Sequence, residues 1–530
     1  MHLFKAFILF CGGISHVLSS EISGEKAIVN PLHEKSAGKE LDMANQDAML
    51  SATPTRCLGD IISAFLQGAV VNDIDLENAI AHLISLGADV NEKDQNGDSL
   101  LSLVISRGNA HFVRLLLDYG ANVNNMNADG KFPVHIAANN GSAAIMTYLL
   151  GSGAFVNVSN RHGWTPLHFA VDRGHPAVVE LLMRYDADVE KGDGFGRTPL
   201  RRALYRGRVD IVQMLLDKEL INRADVRGFA PLHYAAMFGH VELVEMLLNM
   251  EANINQATTE RNYTPLLIAL ARRHVKVVEV LLRNGANVYI TGFDLVSPLH
   301  LAVTHKALLT ILDSISGAYE NVEIVDTDGR TPLHFAVEYG NIAAIDHLLS
   351  RNPSLIKQTD RRGRTCLHYA SKFGQIKAMK RLLDELSASK HSGGCAGEAP
   401  LPAENVVVDV VELGRVDLIN KQDIKGYTAL HLAAKKAHTH ILEILLQNRA
   451  DTRIKDVTNL EAIHLAIRED NVADVKCLLE NDPNASAETL QEYLSFCRQC
   501  QGIDKEMVVI LQDKIDLLPP ASKQSTCSIQ

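Results

Sequence analysis

The sequence predicts an all-α protein built by repetition, and three observations lead to that fold class. A tetrapeptide of the form Thr-Pro-Leu-His, or a close variant of it, recurs along the chain. The copies follow one another at steps of 32 to 34 residues, with one gap of 63 residues. Each copy opens a pattern of two short apolar helices, which can bury their apolar faces only against neighbouring units. We therefore expect a solenoid of about 11 regular repeats with irregular caps.

The tetrapeptide predicts where the first helix of each repeat begins and ends. It is complete at Thr165–His168 and Thr331–His334, and the other copies begin at Ser99, Phe132, Thr198, Ala230, Thr264, Ser297, Thr365, Thr428 and Glu461. A Thr or Ser hydroxyl caps a helix well, and Pro is tolerated at the first helical position. Nine residues after the motif start, most repeats carry a Gly that can end the helix in a left-handed turn.

Four repeats lack this Gly, and we expect less regular turns in them. The replacing residues are Arg273, Lys306, Ala437 and Asp470.

A period of about 33 residues with this motif resembles the ankyrin-repeat family, over roughly residues 56 to 517. The resemblance implies a right-handed ankyrin-repeat α-solenoid with short hairpin loops. It also implies that the motif histidines hydrogen-bond the backbone of neighbouring hairpins and have no catalytic role. These histidines are His135, His168, His233, His300, His334, His368, His431 and His464.

The repeat pattern divides the chain into eight segments. They are a signal peptide (1–19), a flexible leader (20–55), an irregular N-terminal capping repeat (56–92), repeats one to nine (93–386), an unassigned stretch (387–420), repeats ten and eleven (421–486), C-terminal capping helices (487–517) and a flexible tail (518–530). The stretch 387–420 is either a decayed repeat or an insertion. Ala399-Pro400-Leu401-Pro402 lies 34 residues after Thr365, where a further repeat would begin.

The N-terminus resembles a secretory signal peptide. Lys5 precedes the apolar run Ala6–Cys11, and Val17-Leu18-Ser19 is an acceptable cleavage site. We therefore expect an exported or secreted protein. The alternatives are a frayed apolar N-terminus or a wrongly assigned start codon on a cytoplasmic protein, and the sequence leaves cleavage itself open.

Composition and motifs narrow the classes of function. The formal net charge of −11 argues against a general nucleic-acid binder, and no apolar stretch is long enough to span a membrane. We find no phosphate-binding Gly loop and no nucleophile or metalloprotease motif, and Cys497 and Cys500 lack a second ligand pair. We therefore expect no enzyme, no cofactor, no metal and no small-molecule ligand, and we expect a monomer with a protein or peptide partner.

In ankyrin-repeat proteins, partners bind a concave groove lined by the hairpin tips and the exposed side of the first helices. The resemblance places these groove positions at −4, −3, −1, +7 and +8 relative to the first motif residue. Over all repeats they hold 18 basic and 8 acidic residues. In repeats three to six, six of the twenty positions are aromatic, although aromatic residues make up only 5% of the chain. Free drift of solvated positions would give the average composition.

The candidate groove is therefore rich in arginine and aromatic residues, the types that dominate binding energy at interfaces. We expect its side chains to face solvent in the free protein. The candidate residues are Arg161, Trp164, Arg173, Phe195, Arg197, Tyr205, Arg206, Arg227, Phe229, Phe238, Arg261, Tyr263, Arg272, Arg330, Tyr339, Arg361, Arg362, Arg364 and Phe373.

The sequence thus predicts a non-catalytic scaffold that holds a partner with an acidic contact face, and possible export makes it a candidate effector. The alternative function is an adaptor that delivers a bound target to an enzyme such as a ubiquitin ligase. That function needs a second docking module; residues Leu490 to Pro520 faintly resemble one, and a helical cap explains them as well.

Overall fold

The computed structural model describes residues 80–517, apart from 82–83, 86, 94–96, 320–321, 389–413, 483–484, 501–502 and 504. Within these residues the chain forms helices and turns, with no strand. The expected signal peptide, leader and tail, and most of the N-terminal cap and of 387–420, lie outside the described residues. The chain separates into two compact units, Met1–Gln256 and Ala257–Gln530.

The first unit is a stack of helix pairs. Its helices are α1 Leu100–Ser106, α2 Ala110–Asp118, α3 Pro133–Asn140, α4 Ala143–Gly151, α5 Pro166–Arg173, α6 Pro176–Arg184, α7 Pro199–Arg206, α8 Val209–Leu215, α9 Pro231–Phe238 and α10 Val241–Asn249. The first helices of successive pairs pack on one another, and the second helices form a parallel layer behind them. The apolar core lies between the two layers, where Leu167, Val179 and Leu243 are buried.

The second unit repeats the same arrangement. Its helices are α11 Pro265–Arg272, α12 Val275–Arg283, α13 Pro298–Ala302, α14 Leu309–Ser316, α15 Pro332–Glu338, α16 Ile342–Arg351, α17 Cys366–Phe373, α18 Ile376–Ala388, α19 Ala429–Lys435, α20 Thr439–Gln447, α21 Ala462–Arg468, α22 Val472–Glu480, α23 Ala487–Gln499 and α24 Lys505–Asp516, with 3₁₀ turns at Phe293–Leu295, Lys306–Leu308 and Pro353–Lys357. Helices α23 and α24 pack against α21 and α22 and bury Leu490, Tyr493 and Leu511, so they cover the end of this stack.

The turns after the first helices confirm the Gly pattern and correct one expectation. Gly174 and Gly207 adopt φ of 77° and 70°, in the left-handed region. Arg273, Ala437 and Asp470 adopt the same conformation, with φ of 65°, 55° and 54°, so the expectation of less regular turns is wrong for these three repeats. The packing imposes the turn, although a left-handed residue with a Cβ costs roughly 1–2 kcal/mol.

In the fourth repeat that lacks the Gly, where Lys306 replaces it, the turn does change. Helix α13 ends at Ala302, and a 3₁₀ turn starts at Lys306. The expected irregularity is confirmed in this repeat.

The motif histidines join each repeat to the next, as the resemblance implied. The Nδ1 atom of His168 accepts the backbone N–H of Thr165 at 3.1 Å, which leaves the proton on Nε2. That Nε2 donates to the carbonyl of Arg197, one repeat further on, at 2.9 Å. Nε2 bonds to the following hairpin recur at His135, His233, His300, His334, His368 and His431.

Burial keeps these histidines neutral. It lowers the pKa of His135, His300 and His334 to about 4, because the charged ring would lose its hydration. The pKa values of His168, His368, His431 and His464 are also lowered, again mainly by burial.

The repeats on the two sides of residues 387–420 stack directly on each other. Helix α17 packs against α19, and α18 against α20. The histidine bond crosses the gap as well, because Nε2 of His368 donates to the carbonyl of Tyr427, 59 residues later, at 3.0 Å. The described helices on the two sides of this stretch are therefore neighbours in the stack.

Candidate partner-binding surface

The hairpins before the first helices share one internal structure. In the hairpin of Arg197, Oδ1 of Asp193 accepts the backbone N–H groups of Phe195 and Arg197, both at 2.9 Å. The same bonds are made by Asn160, Asp225, Asp326, Asp360, Asp423 and Asp456. A short Asx side chain favours such local bonds, so the sequence itself sets the shape of each tip.

Backbone hydrogen bonds hold neighbouring tips together. The N–H of Gly194 donates to the carbonyl of His162 at 2.9 Å, and in the second unit the N–H of Arg361 donates to the carbonyl of Asp328 at 2.8 Å. Equivalent positions of successive repeats therefore lie side by side within a unit. We call the surface formed by these tips and by the exposed side of the first helices the hairpin face.

In the first unit, the tips present both apolar and basic side chains. Phe195 is 67% exposed, and the guanidinium of Arg197 lies 4.6 Å from the centre of its ring. Arg161 and Arg227 are exposed on the neighbouring tips, and Val226 is almost fully exposed. An exposed aromatic ring among cations is a composition typical of a binding surface.

Behind these tips, four rings form a connected cluster. Tyr205 meets Phe238 edge to face at 4.9 Å, Phe238 stacks on Tyr234, and Tyr234 lies 5.6 Å from Phe229. The Tyr234 hydroxyl donates to Asp225 at 2.5 Å, and burial raises its pKa well above the usual range. Tyr205 and Phe238 are half-buried and form the accessible edge of the cluster.

The expectation that all candidate side chains face solvent is wrong for three of them. Phe229 is 7% exposed, and Tyr263 and Arg330 are each 5% exposed. The residue just before the motif points back onto the first helix, where Phe229 packs against Tyr234 and Arg330 against Phe335. These side chains stabilise the repeat and offer a partner little surface.

The cations around Trp164 are neutralised by a carboxylate of the protein. Asp172 Oδ1 lies 2.8 Å from Nε of both Arg202 and Arg206. The guanidinium of Arg202 also lies 4.5 Å from the centre of the half-buried Trp164 ring. Burial alone would raise the pKa of Asp172, but the two arginines hold it below its usual value. Neighbouring Arg173 is exposed and donates from Nε to the Asn139 side chain at 2.9 Å.

In the second unit too, some candidate residues are paired or half-buried and others are exposed. Arg330 pairs with Asp326 at 2.6 Å, and Arg364 pairs with Asp360 at 2.5 Å. The half-buried Arg261 lies 5.9 Å from the ring of Phe293. Arg272, Tyr339 and Phe373 are also half-buried, whereas Arg361 and Arg362 are exposed.

A cavity of about 500 Å³ opens on the hairpin face of the second unit, between the repeats of α17 and α19. We call it the basic pocket. It is lined by Arg362, Arg364, Lys372, Asp423, Ile424, Lys425, Tyr427, Leu432, Lys435 and Lys436. Six lining residues are basic, and Asp423 is the one carboxylate among them. The backbone N–H of Ile424 donates to the carbonyl of Arg362 at 2.9 Å and so joins the two tips.

The sequence analysis did not identify some residues of the basic pocket, nor some residues that contact Trp164 and Phe238 in the first unit. Lys425, Tyr427, Lys435 and Lys436 stand at groove positions, but they belong to the repeat after the 63-residue gap and were not singled out. Arg202 and Tyr234 were missed because they stand four residues after the motif start. One helical turn separates them from Arg206 and Phe238, and that i, i+4 spacing is the signal that could have found them.

Stacked helix pairs, linked by hairpins with left-handed turns, define an α-helical repeat protein. A family model described as "Ankyrin repeats (3 copies)" matches residues 66–160, 152–225, 218–292, 296–392 and 405–489. The chain belongs to the ankyrin-repeat family, and its fold is an all-α repeat solenoid. Ankyrin repeats are a scaffold for protein–protein interaction and are generally non-catalytic.

A putative ankyrin repeat protein of Fowlpox virus (strain NVSL) is 25% identical to this chain over 95 residues. The match covers 18% of this chain and 14% of the viral protein, so it spans a small part of that protein's length.

Two features of the described residues bear on other classes of function. None of the helices there combines the length and the apolar character that crossing a membrane requires. In the same part of the chain, no three His, Cys, Asp or Glu side chains are grouped in a way that could hold a metal ion.

Proposed function

We propose that the protein holds a protein or peptide partner, acidic on its contact face, against the hairpin face. The observation that carries this proposal is the exposed set Phe195, Val226 and Arg227, on neighbouring tips of the first unit. An aromatic anchor beside guanidinium groups is the combination that most often concentrates binding energy. Arginine also pairs with carboxylates through two parallel hydrogen bonds.

The overall charge supports an acidic contact surface on the partner. The chain carries a formal net charge of −11, yet the groove positions are predominantly basic. A basic face on an acidic protein steers acidic partners to that face and repels them from the rest of the surface.

The alternative, an adaptor with a second docking module, has less support. Its candidate region overlaps α23 and α24, where Leu490, Tyr493 and Leu511 are buried against the last repeats. A cap explains these two helices.

Quantitative affinity capture from the native host tests the proposal. The bait variant Phe195→Ser with Arg227→Glu changes two exposed side chains and should leave the fold intact. We expect the captured partner to fall by at least tenfold, the scale of losing a hot-spot residue of roughly 2 kcal/mol. Thermal unfolding of the bait is measured in parallel to exclude a folding defect.

A matched control makes the same chemical changes behind the hairpin face. Met214→Ser with Lys218→Glu alters an exposed apolar residue and an exposed cation of the same unit, on α8 and the loop after it. Capture should be unchanged. If the control loses the partner while the tip variant keeps it, the partner binds elsewhere and the proposal fails.

A further inference from the structure

The basic pocket differs from the rest of the hairpin face in how its charges are paired. In the first unit, Arg197, Arg202 and Arg206 each lie 2.8 Å from a carboxylate of the protein. In the basic pocket, Arg364 has such a partner in Asp360. Four further lining cations have no carboxylate within 4.0 Å in the part of the chain that the structure describes, namely Arg362, Lys425, Lys435 and Lys436.

The one carboxylate that lines the pocket, that of Asp423, already accepts hydrogen bonds from the backbone. Oδ1 of Asp423 accepts the backbone N–H groups of Lys425 and Tyr427, at 2.8 and 2.9 Å, and so shapes the tip. Lys435 points toward Tyr427, with its ammonium 4.8 Å from the centre of the ring.

The cations of the pocket repel one another. The pKa of Lys372 is lowered first by burial and then by the charges of Arg364, Arg362 and Lys436, although Glu338 acts in the opposite direction. A site that holds like charges together gains most from a ligand that brings concentrated negative charge.

We propose that the basic pocket receives a phosphorylated side chain of a peptide partner. A phosphate monoester carries a charge of about −1.5 to −2 with three strong acceptor oxygens, more than a carboxylate of similar size. Lysine ammonium groups supply point charges, and Arg362 can donate to two oxygens at once. The cavity of about 500 Å³ has room for the modified side chain and its neighbours, with Ile424 and Tyr427 as apolar contacts. This proposal rests on the proposed function, because it names the chemistry of the partner.

The extent of the pocket favours a peptide over a nucleic acid. On one side, Arg330 is buried with Asp326, and Glu338 lies 3.8 Å from it. On the other side, the next tip carries Val457 and Thr458. An extended strand of nucleic acid needs a basic track across many repeats. The unpaired cations of this pocket are confined to two repeats.

Fluorescence anisotropy with the full chain tests the proposal. The probe is a fluorescein-labelled pool of peptides with one fixed phosphoserine between glutamates, and the reference is the same pool with serine. We expect the phosphorylated pool to bind at least about tenfold more tightly. Lys425→Met with Lys436→Met, both at exposed positions, should remove most of that preference, since methionine retains the length of the stem but not the charge.

The matched control removes equal charge from the same unit. Lys377→Met with Lys380→Met alters two exposed lysines on α18, and the preference for phosphoserine should survive. Equal binding of the two pools overturns the proposal, as does an equal loss in the control. It is also overturned if inositol hexakisphosphate or single-stranded RNA binds while the phosphorylated pool does not. The partner capture described above depends on first-unit side chains, so it can succeed even if this test fails.

Discussion

Two regions carry positive charge at the same positions of their repeats, residues 161–238 of the first unit and residues 362–436 of the second. They differ in whether a carboxylate of the protein pairs with that charge. Around Trp164, Arg202 and Arg206 converge on Asp172, at 2.8 Å each. In the basic pocket, Lys425 and Lys436 face a cavity with no carboxylate of their own within the described chain. In the first region, the arginines are paired with a carboxylate of the protein. In the second region, lysines remain available to pair with a ligand.

The difference teaches that the count of cations at groove positions does not measure binding capacity. An arginine with a carboxylate one repeat away is a structural residue, and a lysine without one is a candidate contact. For Arg202 and Arg206, the paired Asp172 stands 30 and 34 residues earlier in the sequence, so only the stacking brings these charges together.

The histidine bonds occur in both units, so acid should destabilise both units. In the unfolded chain, histidine binds a proton near pH 6.5, but His135, His300 and His334 resist protonation down to about pH 4. The unfolded state therefore binds more protons between these pH values, and the free energy of unfolding falls as pH falls through this window. Over the full window from pH 6.5 to pH 4, each of the three histidines lowers the free energy of unfolding by about 3 kcal/mol.

Urea unfolding followed by circular dichroism at pH 7, 6 and 5 measures this effect. The midpoint should fall steadily over the series. A midpoint that does not change between pH 7 and pH 5 would show that the histidines titrate normally.

The position just before the motif offers a direct comparison of the two regions. Phe229 is buried, whereas Tyr427, at the same position of its repeat, is half-buried beside Lys435. Phe229→Ala should lower the free energy of unfolding by roughly 3–5 kcal/mol, the range for a buried aromatic. Tyr427→Ala should have a smaller effect on stability but should weaken binding of the phosphorylated probe. Equal destabilisation by the two changes would remove this distinction between the regions.

Removing the shared carboxylate should make the first region resemble the second. Asp172→Asn leaves Arg202 and Arg206 without their counter-charge and should lower the free energy of unfolding by roughly 3 kcal/mol, as for other broken buried pairs. The same change should raise the affinity for the serine reference pool, whose peptides are acidic through their glutamates, as measured by fluorescence anisotropy. If stability falls but affinity does not rise, pairing is not what distinguishes the two regions.

The turn after the first helix gives the smallest expected effect. Ala437, in the basic-pocket repeat, has φ of 55°, where the first region has Gly207 at 70°. Ala437→Gly should stabilise by roughly 1 kcal/mol, because glycine adopts this conformation without strain. Gly207→Ala should destabilise by more, since its Cβ would lie 2.8 Å from the His240 ring. Thermal unfolding of both variants checks the sign, and a loss of stability in Ala437→Gly would contradict it.

The sequence predicted the parts of the fold that local chemistry determines. The caps at Thr165 and Thr198 and the left-handed turn at Gly174 follow from residue type and spacing alone. The role of His168 followed from the family resemblance. The left-handed Arg273 was not foreseen, because there the packing of whole helices overrides the preference of one residue.

The candidate surface was predicted less completely, since exposure depends on the neighbouring repeat. Groove position alone could not tell the exposed Phe195 from the buried Phe229. Nor could it show that Asp172 neutralises Arg206, or that Lys436 and Arg362 line one cavity although the 63-residue gap separates their repeats.

The bond between His368 and Tyr427 fixes the register of the stack directly, so this register does not depend on the length of the chain between the two residues. Evolution or an engineer could splice a tag or a whole domain into this position without moving a helix. A protease cut there should leave two fragments that stay associated, because α17 and α18 still pack against α19 and α20. The repeat array thus has a place at which a new module can be attached without interrupting the stack of helices.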